Sequence, residues 1–213
     1  MISSRYNFIF VHVPKTGGNA IQTVLLPVSD DRKIRILNVD DTHTFEVRGE
    51  RTIHKHASLS DYTAKLGEAI GGYRTIIGVR DPLERALSHY YSPSRLLRRG
   101  ETGETFVMND FIDLTKEMKT LKSFLMVDGK FVAPDFVIRF SHLSSDFVRV
   151  FGHLGVPVSP LERINESGDV NGLRAGLRSD PEIAAIVRER FAEDYDCVDL
   201  LTERAARQFE AAP

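Results

Sequence analysis

The chain has 213 residues, 42% of them hydrophobic, a formal net charge of −2 and a single cysteine, Cys197. That length fits one domain over residues 1–213. The near-neutral charge points to neither nucleic acid nor a membrane surface as partner, and one cysteine excludes a disulfide framework and disfavours a cysteine-built metal site.

No apolar run reaches the roughly 18 residues of a membrane span. The apolar stretch at 8–13 is interrupted by His12 and too short for a secretory signal, so the expected location is the cytoplasm. Residues 7–13 are rich in β-formers and predict a buried strand. Pro14, Gly17 and Gly18 break it, and Ala20, Ile21, Val24 and Leu25 then recur at the spacing of one helical face. Residues 27–52 are polar and carry little pattern, with 33–37 as a candidate strand. A helix is expected to begin near Ser60 or Asp61.

Residues 74–79 are apolar and β-branched. They run into Asp81 as N-cap, Pro82 at the first helical position and Glu84 three beyond the cap. Leu83, Ala86, Leu87, Tyr90 and Tyr91 give that helix its apolar face. Residues 135–140 predict a strand, and 144–154 a helix with Phe147, Val150, Phe151 and Leu154 inward and Gly155 as its stop. Ser179, Asp180, Pro181 and Glu182 mark a further capped start, followed by a stripe of Ile183, Ile186, Val187 and Phe191. Strands alternating with helices predict an α/β fold of P-loop-like, three-layer form, with a central mostly parallel sheet flanked by helices. Ligands of such sheets bind beyond the carboxyl ends of the strands, where 14–19 and 80–82 lie.

Two candidate anion sites follow. In Pro14-Lys15-Thr16-Gly17-Gly18-Asn19 the glycines admit close backbone approach, the helix start presents N–H groups, and Lys15, Thr16 and Asn19 add side-chain contacts. An ordinary turn with a solvated lysine stays open as the alternative. The lysine precedes the glycines, so this is not the loop of an ordinary ATP or GTP hydrolase. In the second site Arg80 can grip a phosphate, and Ser88 can offer a hydroxyl to the same group. The competing reading pairs Arg80 with Asp81 or Glu84; for Arg85 a pair with Asp81 is preferred.

Together these segments resemble the PAPS-dependent sulfotransferase superfamily (PAPS is 3′-phosphoadenosine 5′-phosphosulfate). Residues 13–18 look like the loop that holds the 5′-phosphosulfate, and 80–91 like the segment that holds the 3′-phosphate. The nearest likeness is to carbohydrate sulfotransferases of the heparan sulfate 2-O-sulfotransferase type, with weaker echoes at 140–147 and at 165–167. Where the family loop continues with a hydroxyl pair, this chain has Asn19 and Ala20. The resemblance implies in-line sulfuryl transfer from PAPS to a hydroxyl acceptor, a glycan, without a metal. Pro14 to Asn19, Arg80 and Ser88 are then the donor contacts, and Lys15 neutralises the leaving phosphate. The His-x-His of that type implies His56 as the base, with His54 as helper. Zinc binding or a solvated loop are the other readings of this pair. His43, His89, His142 and His153 have no comparable context. Arg95, Arg98 and Arg99 either guide an acidic acceptor or form a solvated helix end. The rival functions are a kinase-like transferase using ATP and a binding module without catalysis.

Overall fold

Alternation decides the sheet. The computed structural model describes residues 1–34, 45–161 and 173–209, with the side chains of Leu97 and Arg98 also outside it. Strands β1 (Ile2–Ser3) and β2 (Phe8–Val11) open the chain and pair antiparallel. Phe8 and Phe10 face one side of the sheet while Ile9 and Val11 face the other, and all four are fully buried. A strand buried on both faces reads as a continuous apolar run, as 7–13 does.

Helix α1 (Gly18–Leu25) follows, then a small hairpin of β3 (Arg32–Ile34) and β4 (Glu46–Arg48). Strand β3 takes in the first part of the candidate strand at 33–37; the rest lies outside the described residues. Helix α2 (Leu59–Leu66) starts at a capping box, in which the Ser58 hydroxyl accepts from the Asp61 N–H and Asp61 accepts from the Ser58 N–H. Strand β5 (Arg74–Val79) leads into α3 (Pro82–Tyr90), capped by Asp81.

Next come α4 (Pro93–Arg99), α5 (Met108–Glu117), a second small hairpin of β6 (Met126–Val127) and β7 (Lys130–Phe131), and β8 (Phe136–Arg139). The chain ends with α6 (Leu143–His153), α7 (Leu173–Arg178), α8 (Pro181–Arg190) and α9 (Ala192–Arg207). The central sheet has the order β1-β2-β5-β8, with β2, β5 and β8 parallel. Residues of α1 and α6 fill one face, and residues of α2, 121–125 and α9 fill the other. This is the expected three-layer α/β arrangement.

Helix α3 packs outside the sheet with α5, α7 and α8 in an apolar cluster of their own. One buried ion pair fixes it. Arg85 donates from Nη1 to Asp194 at the start of α9 (2.9 Å), and from Nη2 to the Lys119 carbonyl. The expected pair of Arg85 with Asp81 is therefore corrected: Asp81 is occupied by its cap, and Arg85 turns into the interior. Asp194 also accepts from the backbone N–H groups of Leu121 (2.7 Å) and Lys122 (2.9 Å). Replacing Asp194 by Ala strands a buried guanidinium and two amides, and is expected to lower unfolding free energy by about 3–5 kcal/mol in urea titrations. Arg74→Ala breaks a pair with Asp135 in which Arg74 is 65% exposed, and should cost less than about 1 kcal/mol in the same assay.

Candidate active site

The three parallel strands end on one edge, and each end delivers part of one cluster. After β2 the backbone turns sharply: Lys15 adopts φ +71° and Gly17 φ +86°. A left-handed lysine is a strained conformation of the kind that concentrates at functional sites. Gly17 stands at the N-cap of α1 and offers no side-chain oxygen, so the first N–H groups of the helix stay open to an external anion. Gly18 has no room for a side chain, since a Cβ there would overlap the His12 ring. Pro14 and Asn19 are half-buried. Thr16 differs from its expected role. Its hydroxyl turns inward and donates to the Val13 carbonyl (2.9 Å), so the side chain braces the loop and leaves the backbone to face a ligand.

After β5, Arg80 donates from Nη1 to the Lys15 carbonyl (3.2 Å) and from Nη2 to Glu84 (3.1 Å), and lies 3.9 Å over the Phe140 ring. Its Nε is buried without a hydrogen-bond partner among the described residues. The pair with Glu84, one of the two readings of Arg80, is thus formed. Glu84 also accepts from Arg178 of α7, so one carboxylate serves two guanidiniums. Ser88 is buried two turns into α3, and among the described residues its hydroxyl has no hydrogen-bond partner.

The His54-Lys55-His56 segment is a turn closed by the Ala57 N–H on the His54 carbonyl (3.1 Å), rather than an extended strand. The two histidines therefore part. His54 is 42% exposed and stands 3.8 Å from Asp61. Lys55 folds back to donate to the Phe45 carbonyl (2.6 Å). His56 alone turns to the strand edge, where its Nδ1 is 2.9 Å from the His12 carbonyl. A carbonyl only accepts, so Nδ1 carries the proton and Nε2 is left as the basic nitrogen. The His12 ring lies 4.5 Å from that of His56, with its Nδ1 2.9 Å from Gln22.

Two residues that the sequence did not single out join the cluster. Arg174 of α7 stacks 4.7 Å over Tyr91, and its charge acts on both Lys15 and Arg80. His89, on the last turn of α3, has a buried Nδ1 with no hydrogen-bond partner among the described residues. Proximity in sequence signals neither, because their neighbours come from distant segments.

Burial and mutual repulsion set the charges. Lys15 has no counter-ion among the described residues, and desolvation, then Arg80, Arg174 and Lys55, bring its pKa down to about 8. Desolvation first, then the cations around them, bring His56 and His89 to about 4. His12 falls well below its ordinary value for the same first cause. The cluster carries a surplus of positive charge with neutral imidazoles beside it.

Other candidates fall elsewhere. Arg99 is held by Glu101 (2.7 Å) and Asp110, and Arg95 reaches the Asp110 carbonyl (3.4 Å). The side chain of Arg98, along with His43 and 165–167, lies outside the described residues. His142 bonds Ser141 (2.9 Å), and His153 packs on Phe136 and Phe209. No group of three His, Cys, Asp or Glu side chains gathers as a metal would need among the described residues. Among them too, no helix is long and apolar enough to cross a membrane. A cleft of about 400 Å3, lined by Ser58, Lys116, Lys119, Phe124 and Arg190 among others, contains none of residues 14–19. Ser58, on its lining, is the N-cap of α2, and the Lys119 carbonyl accepts from Arg85.

A model of the sulfotransferase family matches residues 1–197. No curated protein matches the chain. No solved structure matches it.

The lowered histidine pKa values set a pH dependence of stability. A histidine near 4 when folded and near 6.5 when unfolded binds its proton more readily in the unfolded chain. The histidines' contribution to stability is therefore full above pH 6.5 and declines as pH falls toward 4. Ring-proton NMR should find His56 and His89 neutral at pH 6 in the folded protein; midpoints near 6.5 would contradict the burial described.

Proposed function

Because the chain belongs to the sulfotransferase family, we propose that it transfers a sulfuryl group from PAPS to a hydroxyl of a carbohydrate, in the manner of heparan sulfate 2-O-sulfotransferases. The observation that carries this reading is the uncompensated Lys15 ammonium at the open N-terminus of α1, with an oriented base, His56, held at the end of the same strand.

The residues fit such a donor. The loop from Pro14 to Asn19 offers helix N–H groups and a strained backbone that a phosphosulfate would reward. Arg80 keeps an unused buried Nε, Ser88 an unused hydroxyl, and both are proposed for the 3′-phosphate. Arg174 adds a further positive charge beside Lys15. Glu84 holds Arg80 until a phosphate takes its place, with Arg178 left to neutralise the carboxylate.

The transfer follows from these positions. His56 Nε2 accepts the proton of the acceptor hydroxyl as its oxygen bonds to sulfur. Lys15 neutralises the charge that gathers on the bridging oxygen of the 5′-phosphate as the sulfur–oxygen bond to it breaks. His56 then carries the proton, and PAP (3′-phosphoadenosine 5′-phosphate) leaves with the bonding pair. Positioning and electrostatics do most of the work, as in phosphoryl transfer. His54, exposed and 3.8 Å from Asp61, is assigned to acceptor binding rather than to the proton.

PAP without metal should raise the melting temperature, ADP and ATP with or without magnesium should do so less, and Arg80→Ala should abolish the PAP effect. Stabilisation by ATP with magnesium equal to that by PAP would overturn the donor assignment. Lys15→Ala should lower kcat by more than it weakens PAP binding; equal losses would make Lys15 a binding residue only.

A further inference from the structure

The mechanism above uses the backbone of His12 and leaves its side chain idle. That side chain is 2% exposed and lies on the α1 side of the sheet with Phe10, two residues earlier, whose ring stacks on it at 6.1 Å. Its one hydrogen-bond partner among the described residues is Gln22 of α1, itself fully buried, whose Oε1 stands 2.9 Å from Nδ1. An amide oxygen only accepts, so Nδ1 donates. Gln22 Nε2 has no hydrogen-bond partner among the described residues. Two buried polar side chains, one of them half satisfied, weaken a core that an apolar pair of like size would fill without that loss. Packing alone gives no reason for the pair.

Two further contacts show what the ring does. A Cβ on Gly18 would overlap its Cδ2 and Nε2, so the ring rests directly against the first residue of α1. The ring of His56 lies 4.5 Å away, tilted by 59°. The His12 carbonyl, 2.9 Å from His56 Nδ1, holds that same ring at its edge. A single hydrogen bond leaves an imidazole free to swing about it, and a ring packed alongside removes the swing. The packed ring must itself be fixed, and Gln22 and Gly18 fix it from α1. Contact therefore runs unbroken from α1 through His12 to His56.

We infer that the His12 side chain is the positioning residue of the base: pinned by Gln22 and set against Gly18, it keeps the His56 ring on the His12 carbonyl, with Nε2 presented to the acceptor hydroxyl. This rests on the PAPS reading, in which His56 takes the proton, and names the side chain on which that role depends. His12 touches no reacting atom and takes no part in the proton transfer. It also ties the base to the helix whose N-terminus is the anion site, so the two halves of the reaction share one support.

The test follows His56 by ring-nitrogen NMR in the full chain, for wild type, His12→Leu and Gln22→Leu, with PAP affinity and melting temperature measured beside it. Gln22→Leu is the milder change, since it replaces a half-satisfied amide by an apolar group of like size, and its link to His56 passes through His12. Wild type should show one tautomer, protonated at Nδ1, with a midpoint near 4. In both variants the two ring-nitrogen signals should converge as the tautomers average, and the midpoint should rise toward 6.5 as the freed ring meets water. PAP affinity should stay within about twofold of wild type. If His12→Leu does not fold, Gln22→Leu decides. A single tautomer and an unmoved midpoint in Gln22→Leu would overturn the inference and leave the carbonyl as sole support, even if the melting temperature fell. Loss of PAP binding in step with the change at His56 would overturn it too, by making His12 a support of the loop at 14–19. If wild type binds no PAP, the donor assignment fails by itself, and with it the reaction for which His12 would position a base.

Discussion

Lys15, Arg80 and Arg174 act on one another at the carboxyl ends of the parallel strands, and burial withholds the water that would screen them. Two desolvated cations repel each other far more strongly than the same pair in bulk water. A chain selected for stability alone would add carboxylates or open the site. Here Glu84 is shared between Arg80 and Arg178, and the Lys15 ammonium is left unanswered among the described residues. The rest of the structure is arranged so that this surplus can persist.

The rigid part of that arrangement is the sheet. β2, β5 and β8 are buried on both faces and lock in parallel register, which fixes where their ends lie. Each end is then tied down. Thr16 bonds back to Val13 and sets the loop at 14–19. Arg139 makes a bidentate pair with Asp146 (2.8 Å for each bond), closing β8 onto α6 and bringing Phe140 under Arg80. Arg85 and Asp194 anchor α3 from beneath, so the helix that carries Ser88 and follows directly on Arg80 does not drift. The strain at Lys15 and the repulsion around it are local, while the interactions that oppose them are spread through the fold.

The legible parts of the sequence were those whose signals are local. Residues 74–82 combine a β-branched run, a capping aspartate and a proline at the first helical position, and strand β5 and helix α3 begin where those residues put them. Helices α5 and α9 went unread because their N-caps, Val107 and Phe191, carry no capping group. The turn at 14–19 between strand and helix was legible as a motif, although Thr16 pointing inward was not, because the Val13 carbonyl draws its hydroxyl only once the turn has closed. Arg85 was read against its helical neighbour, yet its partner lies 109 residues away. His54 and His56 were read as helper and base working together; the turn at 54–57 sends them to different neighbours. Sequence spacing reports which side chains are close along one element. It does not report which elements meet.

The two imidazoles at the strand edge make that difference chemical. His56 and His89 sit at similar pKa values, near 4, for the same first reason, burial. Acidity alone would assign them the same role. Their hydrogen bonds separate them. The His12 carbonyl claims the Nδ1 proton of His56, which fixes the tautomer and points a lone pair outward, as a base requires. Among the described residues nothing bonds Nδ1 of His89, so no partner fixes its tautomer. A fixed acceptor suits a proton leaving a hydroxyl. In the proposed reaction the choice of base between two like side chains is therefore set by a single backbone carbonyl.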